Sequence, residues 1–239
     1  VGEFRFGELR ERTLHKQLKA LYRPDDGEAE WPVGSSVADL WSPTVGVIEI
    51  QTRTLGKLKD KLAAYLDAGL TVTVVHPIAV KKTIVTWNAD RTAEVRRRPS
   101  PKKARVEGEF REIGALWPFL TLPRFTLVIA EVRETEHRCE DGKGSWRRQG
   151  RSKVDRVLDE LVAERRFAGV EDYRALVPDG WTEPGTVKTL AQALALAEGP
   201  TQALVSCLKK LGVLEVCGRL GRAHLLQRCR SSESSPNQE

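Results

Sequence analysis

The sequence predicts an α/β protein: a mixed sheet flanked by helices, followed by a second, smaller winged-helix unit. Leucines at helical spacing mark two amphipathic helices, Leu9, Leu14, Leu18 and Leu21 in one and Leu55, Leu58, Leu62 and Leu66 in the other. Two β-rich runs, 45–52 and 71–78, lie between and after them, and the second is apolar enough for a strand buried on both faces. Near the end, two short helices and a hairpin follow in winged-helix order.

Taken in order, a helix over 7–22 stops before Pro24, and Pro24-Asp25-Asp26-Gly27 makes a turn. Short extended pieces at 29–33 and 36–41 lead through Ser42-Pro43-Thr44 into the strand 45–52. The helix 55–67 ends at Gly69. Segments 83–87 and 92–98 can pair as a hairpin across Asn88-Ala89-Asp90. Residues 106–116 read as helical and 125–136 as extended, and Gly142-Lys143-Gly144-Ser145 is a basic loop suited to a domain boundary. Helical patterning resumes over 153–167, then over 186–196 and 202–211, before strands at 213–217 and 223–227. The expected division is an α/β domain at 1–150, a winged-helix domain at 151–230 and a polar, disordered tail at 231–239.

The composition is that of a globular protein, with 40% hydrophobic and 30% charged residues in 239. No apolar run is long enough for a membrane span, and the start of the chain lacks a signal-peptide core, so the expectation is a cytoplasmic protein. Cys139, Cys207, Cys217 and Cys229 form no zinc spacing and read as reduced, mostly packed thiols.

The chemistry concentrates in Ala38-Asp39-Leu40 and Val47-Ile48-Glu49-Ile50-Gln51. Strand alternation places Val47, Glu49 and Gln51 on one face and Ile48 and Ile50 on the other. A buried Glu and Gln need a partner, because unpaired polar groups lose their hydration. A hard cation, Mg²⁺ or Mn²⁺, would supply one, with Asp39 as the second carboxylate and the Ile50 carbonyl as a further oxygen. The alternative is a solvated sheet edge, against which the buried character of 71–78 argues.

With these residues in place, residues 7 to 78 resemble the core of the PD-(D/E)XK nuclease superfamily, whose order is helix, three strands, helix, strand. Asp39 takes the Asp position, Glu49 the Glu position, and Gln51 stands where Lys is usual; Ala38 replaces the preceding Pro. Gly7-Glu8-Leu9-Arg10-Glu11-Arg12 resembles the first helix of the Holliday-junction-resolvase branch, which makes Glu11 the helical candidate and Glu8 its substitute. The wider pattern, Leu14-His15, Glu49-Ile50-Gln51-Thr52, Ser100-Pro101-Lys102 and the winged-helix tail, is similar to a prokaryotic family of that superfamily whose activity is inferred from its fold. The resemblance implies metal-dependent hydrolysis of DNA phosphodiesters, with Asp39 and Glu49 on the metal and Glu11 assisting.

A Gln at position 51 can orient water but has neither charge nor a useful pKa. Activation of water then falls to the metal, to a substrate phosphate, or to a lysine from the next helix. Lys57 is the best placed by sequence, with Lys61 behind it. His15 and His76 read as packing or hydrogen-bonding residues.

Net charge is +6 with a pI near 9.2, and the excess is clustered. Arg96, Arg97, Arg98, Lys102, Lys103 and Arg105 form one acid-poor group. Lys143, Arg147, Arg148, Arg151 and Lys153 form another, with Trp146 among them. Such clusters attract a polyanion through counterion release, so nucleic acid, DNA first, is the expected partner. In the C-terminal unit only Lys209 and Lys210 are basic on the second helix, so a protein-contact or homodimer role stands beside DNA binding. The leading expectation is a Mg²⁺-dependent DNA endonuclease. The alternatives are a nucleic-acid-binding or regulatory protein on a nuclease-like fold without catalysis, and a transcription regulator led by the winged helix.

Overall fold

The computed structural model describes residues 13–229. Glu8 and Glu11, the candidates on the first helix, lie outside the described residues.

The main element is a seven-stranded mixed sheet in the order β1-β2-β3-β4-β6-β7, with β5 on part of the β4 edge. Its strands are β1 (Glu28–Val33), β2 (Ser36–Ser42), β3 (Gly46–Ile50), β4 (Val72–Trp87), β5 (Glu94–Pro99), β6 (Phe125–Cys139) and β7 (Ser152–Phe167). β3, β4 and β6 run parallel to one another, and the other pairings are antiparallel. β4 outruns β3: its first four residues, Val72–Val75, pair with β3 and its last part pairs with β5 over Thr83–Trp87. This leaves a notch on the β4 edge between the end of β3 and the end of β5.

Alternation along the buried strands feeds two cores. On one face, Leu14 and Leu18 of α1 (Thr13–Tyr22) pack with Leu40, Ile48, Ile50, Val75, Val128, Ala130 and Val132. The opposite face carries Val47, Val72, Val74, Leu127 and Ile129, covered by Leu62 and Tyr65 of α2 (Lys59–Asp67), which continues a 3-10 turn at Leu55–Leu58. The short α3 (Phe110–Ile113) lies on this second face.

The helix expected over 153–167 is corrected: these residues form β7, hydrogen-bonded along β6. The segment has helical spacing and strong helix formers, but propensity is a weak prior beside tertiary pairing. Two ion pairs from β7 to β6 hold the strand, Glu160 with Arg133 at 2.7 Å and Arg156 with Glu134 at 2.9 Å. The Gln17 side chain of α1 accepts from the Leu158 amide at 2.8 Å. The sheet therefore runs to Phe167, and the loop at 142–145 is a connection inside it.

After β7 come α4 (Val170–Arg174), α5 (Val187–Ala193), α6 (Glu198–Lys210) and the hairpin β8 (Leu214–Leu220) with β9 (Ala223–Arg228). The expected helix, helix, hairpin order is present; the short α4 was not expected. Leu204, Val205, Cys207 and Leu208 of α6 share one core with Phe110, Ile113 and Leu116. Among the described residues no helix is long and apolar enough to cross a membrane.

Candidate active site

The site lies where β2 and β3 part. Their antiparallel pairing is recorded at Ser42↔Gly46, Trp41↔Val47 and Leu40↔Ile48. The next rung falls on Asp39 and Glu49. Val47 and Gln51 donate their backbone N–H groups to the carbonyls of Thr71, just before β4, and Val75 within it, both at 2.9 Å. Ile50, lying between such residues, presents its N–H and C=O toward β2. There the Asp39 side chain, not a backbone carbonyl, accepts the Ile50 N–H, Oδ2 to N 2.8 Å. Asp39 thus caps the end of the β2–β3 ladder and stands beside the Ile50 carbonyl.

Helices meet this point from both sides of the sheet. From α1, His15 Nε2 is 3.3 Å from Asp39 Oδ1 and Lys19 Nζ is 3.9 Å from it. From α2, Lys61 Nζ reaches both oxygens of Glu49, at 2.8 and 2.9 Å, and the Tyr65 hydroxyl donates to Glu49 Oε1 at 3.0 Å. Glu49 is 2% exposed. Burial pushes its carboxyl above the usual range and the negative charge of Asp39 adds to this, against the opposing pull of Lys61. Asp39 is half-buried, which opposes its ionisation, but hydrogen bonds from His15 and the Ile50 N–H, with the charges of His15 and Lys19, hold its carboxyl below the usual range.

Gln51 follows β3 directly and is half-buried. Its carbonyl accepts from His76 Nδ1 at 2.6 Å, which fixes the end of β3 against β4. His76 is 6% exposed, and burial lowers its pKa, so it is a neutral hydrogen-bonding residue. The Gln51 side chain makes no hydrogen bond to the described residues.

Four helical side chains, Lys61, Tyr65, His15 and Lys19, engage the two carboxylates. Lys61, placed behind Lys57, is the lysine that reaches the strand carboxylate, while Lys57 is exposed. His15 and Lys19 form a pair four residues apart on α1, and Lys61 and Tyr65 another on α2. The legible signal was this i, i+4 spacing of polar groups, which places two side chains over one spot.

Beyond Gln51 a cleft of about 690 Å³ opens in the notch on β4, lined by Thr52, His76, Lys82, Lys102, Glu136 and Arg156 among others. Its floor is an ion-pair network. Glu134 and Glu136 of β6 are 0% and 1% exposed. Lys82 and Arg156 neutralise Glu134, while Lys82, Arg138 and Lys153 surround Glu136. Burial opposes ionisation of Glu136, but Lys153 and Lys82 more than offset it and bring its pKa to about 2. Arg156 also donates to the Thr52 carbonyl at 3.2 Å, tying the network to the segment after Gln51.

The two basic clusters of the sequence meet at a second cleft, of about 310 Å³, lined by Arg96, Arg98, Arg138, Arg147, Arg148 and Arg151. Arg97 is engaged by Glu94 in a two-pronged ion pair at 2.7 and 3.0 Å. Lys102 lines the larger cleft. Arg105 donates to the Leu194 carbonyl at 2.7 Å, a tie to the C-terminal helices. Lys103 and Lys143 are exposed and line neither cleft.

The fold and site define an α/β protein whose mixed sheet carries a carboxylate pair met by helices from both faces. The chain belongs to the family described as Domain of unknown function (DUF8091), matched over residues 12–168. That match ends one residue after β7 and so takes in the whole sheet. The chain is also 32% identical over 158 residues to an uncharacterized protein of Treponema pallidum (strain Nichols), a region that is 66% of this chain and 62% of that relative. No solved structure matches the chain.

Proposed function

We propose that the chain is a divalent-metal-dependent deoxyribonuclease with a PD-(D/E)XK-like core. What supports this reading is the position of Asp39 and Glu49 on facing residues where β2 and β3 part, near enough that the charge of Asp39 raises the Glu49 carboxyl, with Lys61 on Glu49. The donor set suits Mg²⁺ or Mn²⁺: two carboxylates and the Ile50 carbonyl, with water and a substrate phosphate completing the shell. Glu49 is buried and raised partly by the charge of Asp39, a conflict that a cation would relieve. When bound, the metal would supply Lewis acidity and an acidified water.

The chain's own residues account for the rest. Asp39 and Glu49 hold the cation, and Glu11 belongs to the same proposal through the family resemblance. Lys61 takes the role of the strand lysine that Gln51 replaces, placing positive charge beside Glu49 for a developing phosphorane charge. The Gln51 amide, without another partner among the described residues, orients the attacking water. The 690 Å³ cleft receives the substrate backbone next to this point.

A second reading, a nucleic-acid-binding or regulatory protein without catalysis, has its own support. Both Glu49 oxygens are taken by Lys61, and no group of three metal-holding side chains occurs among the described residues. Incubation of several DNA forms with Mg²⁺ or Mn²⁺ separates the two. The nuclease reading expects metal-dependent cutting by the native chain and none by Glu49→Ala. Salt-sensitive binding without cutting would establish the second.

A further inference from the structure

We propose that the arginine-lined cleft between β5 and the β6–β7 connection, with Trp146 at its rim, binds an unpaired polynucleotide strand. The inference deepens the nucleic-acid reading of the proposed function and rests on it.

Six arginines line this small cleft, from β5 (Arg96, Arg98), from β6 (Arg138) and from the connection (Arg147, Arg148, Arg151). Two are committed to acids, Arg138 to Glu136 and Arg151 to Glu140. The other four have no carboxylate partner among the described residues, so the cleft holds uncompensated positive charge suited to phosphates. Strand alternation explains the selection on β5: Arg96 and Arg98 share the face toward the cleft, while Arg97 is held by Glu94.

Trp146 adds what phosphate binding does not need. It is 82% exposed, the most exposed large apolar side chain described, and it immediately precedes the cleft-lining Arg147 and Arg148. The Arg147 guanidinium lies 5.5 Å from its ring centroid, so one side chain both lines the cleft and touches the indole. A solvent-facing indole beside a cationic groove is the combination that holds single strands, because an unpaired base offers its face for stacking and a duplex hides it. Arg138 lines the 690 Å³ cleft as well, so the arginine-lined cleft adjoins the one that begins at Thr52. That continuity favours a polymer over a free nucleotide.

The test is fluorescence anisotropy on the full chain in EDTA, where binding is read without catalysis. The probes are labelled oligo(dT) and oligo(U) of about 20 nucleotides and a duplex of equal length. The expected result is tighter single-strand than duplex binding, weakened about tenfold by Trp146→Ala and largely restored in Trp146→Phe, with duplex binding unchanged by either. Comparison of the dT and U probes assigns the strand to DNA or RNA. Because Trp146 is exposed, its replacement leaves the fold intact, which circular dichroism checks. Equal effects of Trp146→Ala on single strand and duplex, no effect on either, or displacement of the strand by a mononucleotide at comparable concentration would overturn the proposal. Failure here leaves metal-dependent cleavage standing, and failure of cleavage leaves this binding result readable.

Discussion

Lys61 of α2 holds both carboxylate oxygens of Glu49 of β3, so the cation beside the strand carboxylate comes from a helix twelve residues downstream. The strand itself offers Gln51 where a lysine would otherwise project. Lys61→Met should therefore strand a buried acid. We expect a loss of about 2 kcal/mol in urea unfolding, below the range for a fully buried pair because Lys61 is partly exposed. Burial already raises the Glu49 carboxyl, so its ionisation costs the folded state, and stability falls as pH rises from the ordinary carboxylate range through the raised value. Lys61→Met should steepen that fall, and Glu49→Gln should abolish it; equal pH profiles for all three proteins would dismiss the pairing.

Glu136 gives the opposite sign. Its pKa is depressed to about 2, so its contribution is present above the ordinary carboxylate range and fades as pH drops toward 2. Glu136→Gln should lower stability at neutral pH, leaving Lys82, Arg138 and Lys153 without one shared partner, and should flatten the acid limb. Thermal melts at several pH values between about 2 and 6 read both effects. An unchanged acid limb would mean that other carboxylates govern it.

The segment after β3 is held by Arg156, which pairs with the fully buried Glu134 and donates to the Thr52 carbonyl. Arg156→Met removes one cation from Glu134 but leaves Lys82, and should cost about 3 kcal/mol. Hydrogen exchange should rise at residues 51–54 more than in α6. Uniform exchange across the chain would indicate a global loss only.

Gly46 opens β3 with φ of +89°, and an added Cβ would stand 2.3 Å from the Thr71 carbonyl oxygen. That oxygen accepts the Val47 N–H, the first bond of the β3–β4 ladder. Gly46→Ala is expected to cost more than about 1 kcal/mol, since neither the dihedral nor the space suits a side chain. A melting temperature equal to that of the native chain would contradict it.

The parallel strands were legible because 45–52 and 71–78 are apolar and β-branched, and their burial on both faces follows from that composition. The 83–98 hairpin was legible through Asn88-Ala89-Asp90 between β-prone segments. β7 was not: Val154, Leu158 and Leu161 fit a helical period, and only the long free edge of β6 explains why they extend. Within the site, strand alternation accounts for Glu49 sharing the face of Val47, and the β2–β3 register sets Asp39 on the next rung across from it. The choice of Lys61 over Lys57 depended on the turn at Leu55–Leu58, which sets the phase of α2 and is not written in spacing alone. Likewise the two arginine clusters are separated by 41 residues from Arg105 to Arg147 and converge only because β5 and the β6–β7 connection reach the same end of the sheet.

The proposed function makes Asp39, Glu49 and Lys61 a metal-dependent phosphodiesterase centre with its lysine moved from strand to helix. The most direct measurement is the rate of DNA cleavage with Mn²⁺ by the native chain, Lys61→Ala, and Lys61→Ala combined with Gln51→Lys. Cutting by the native chain is expected, with a loss of about a hundredfold or more in Lys61→Ala and substantial recovery when Gln51→Lys returns the cation to the strand. Cleavage by Lys61→Ala at the native rate, or no cleavage by the native chain while it binds DNA, would contradict it.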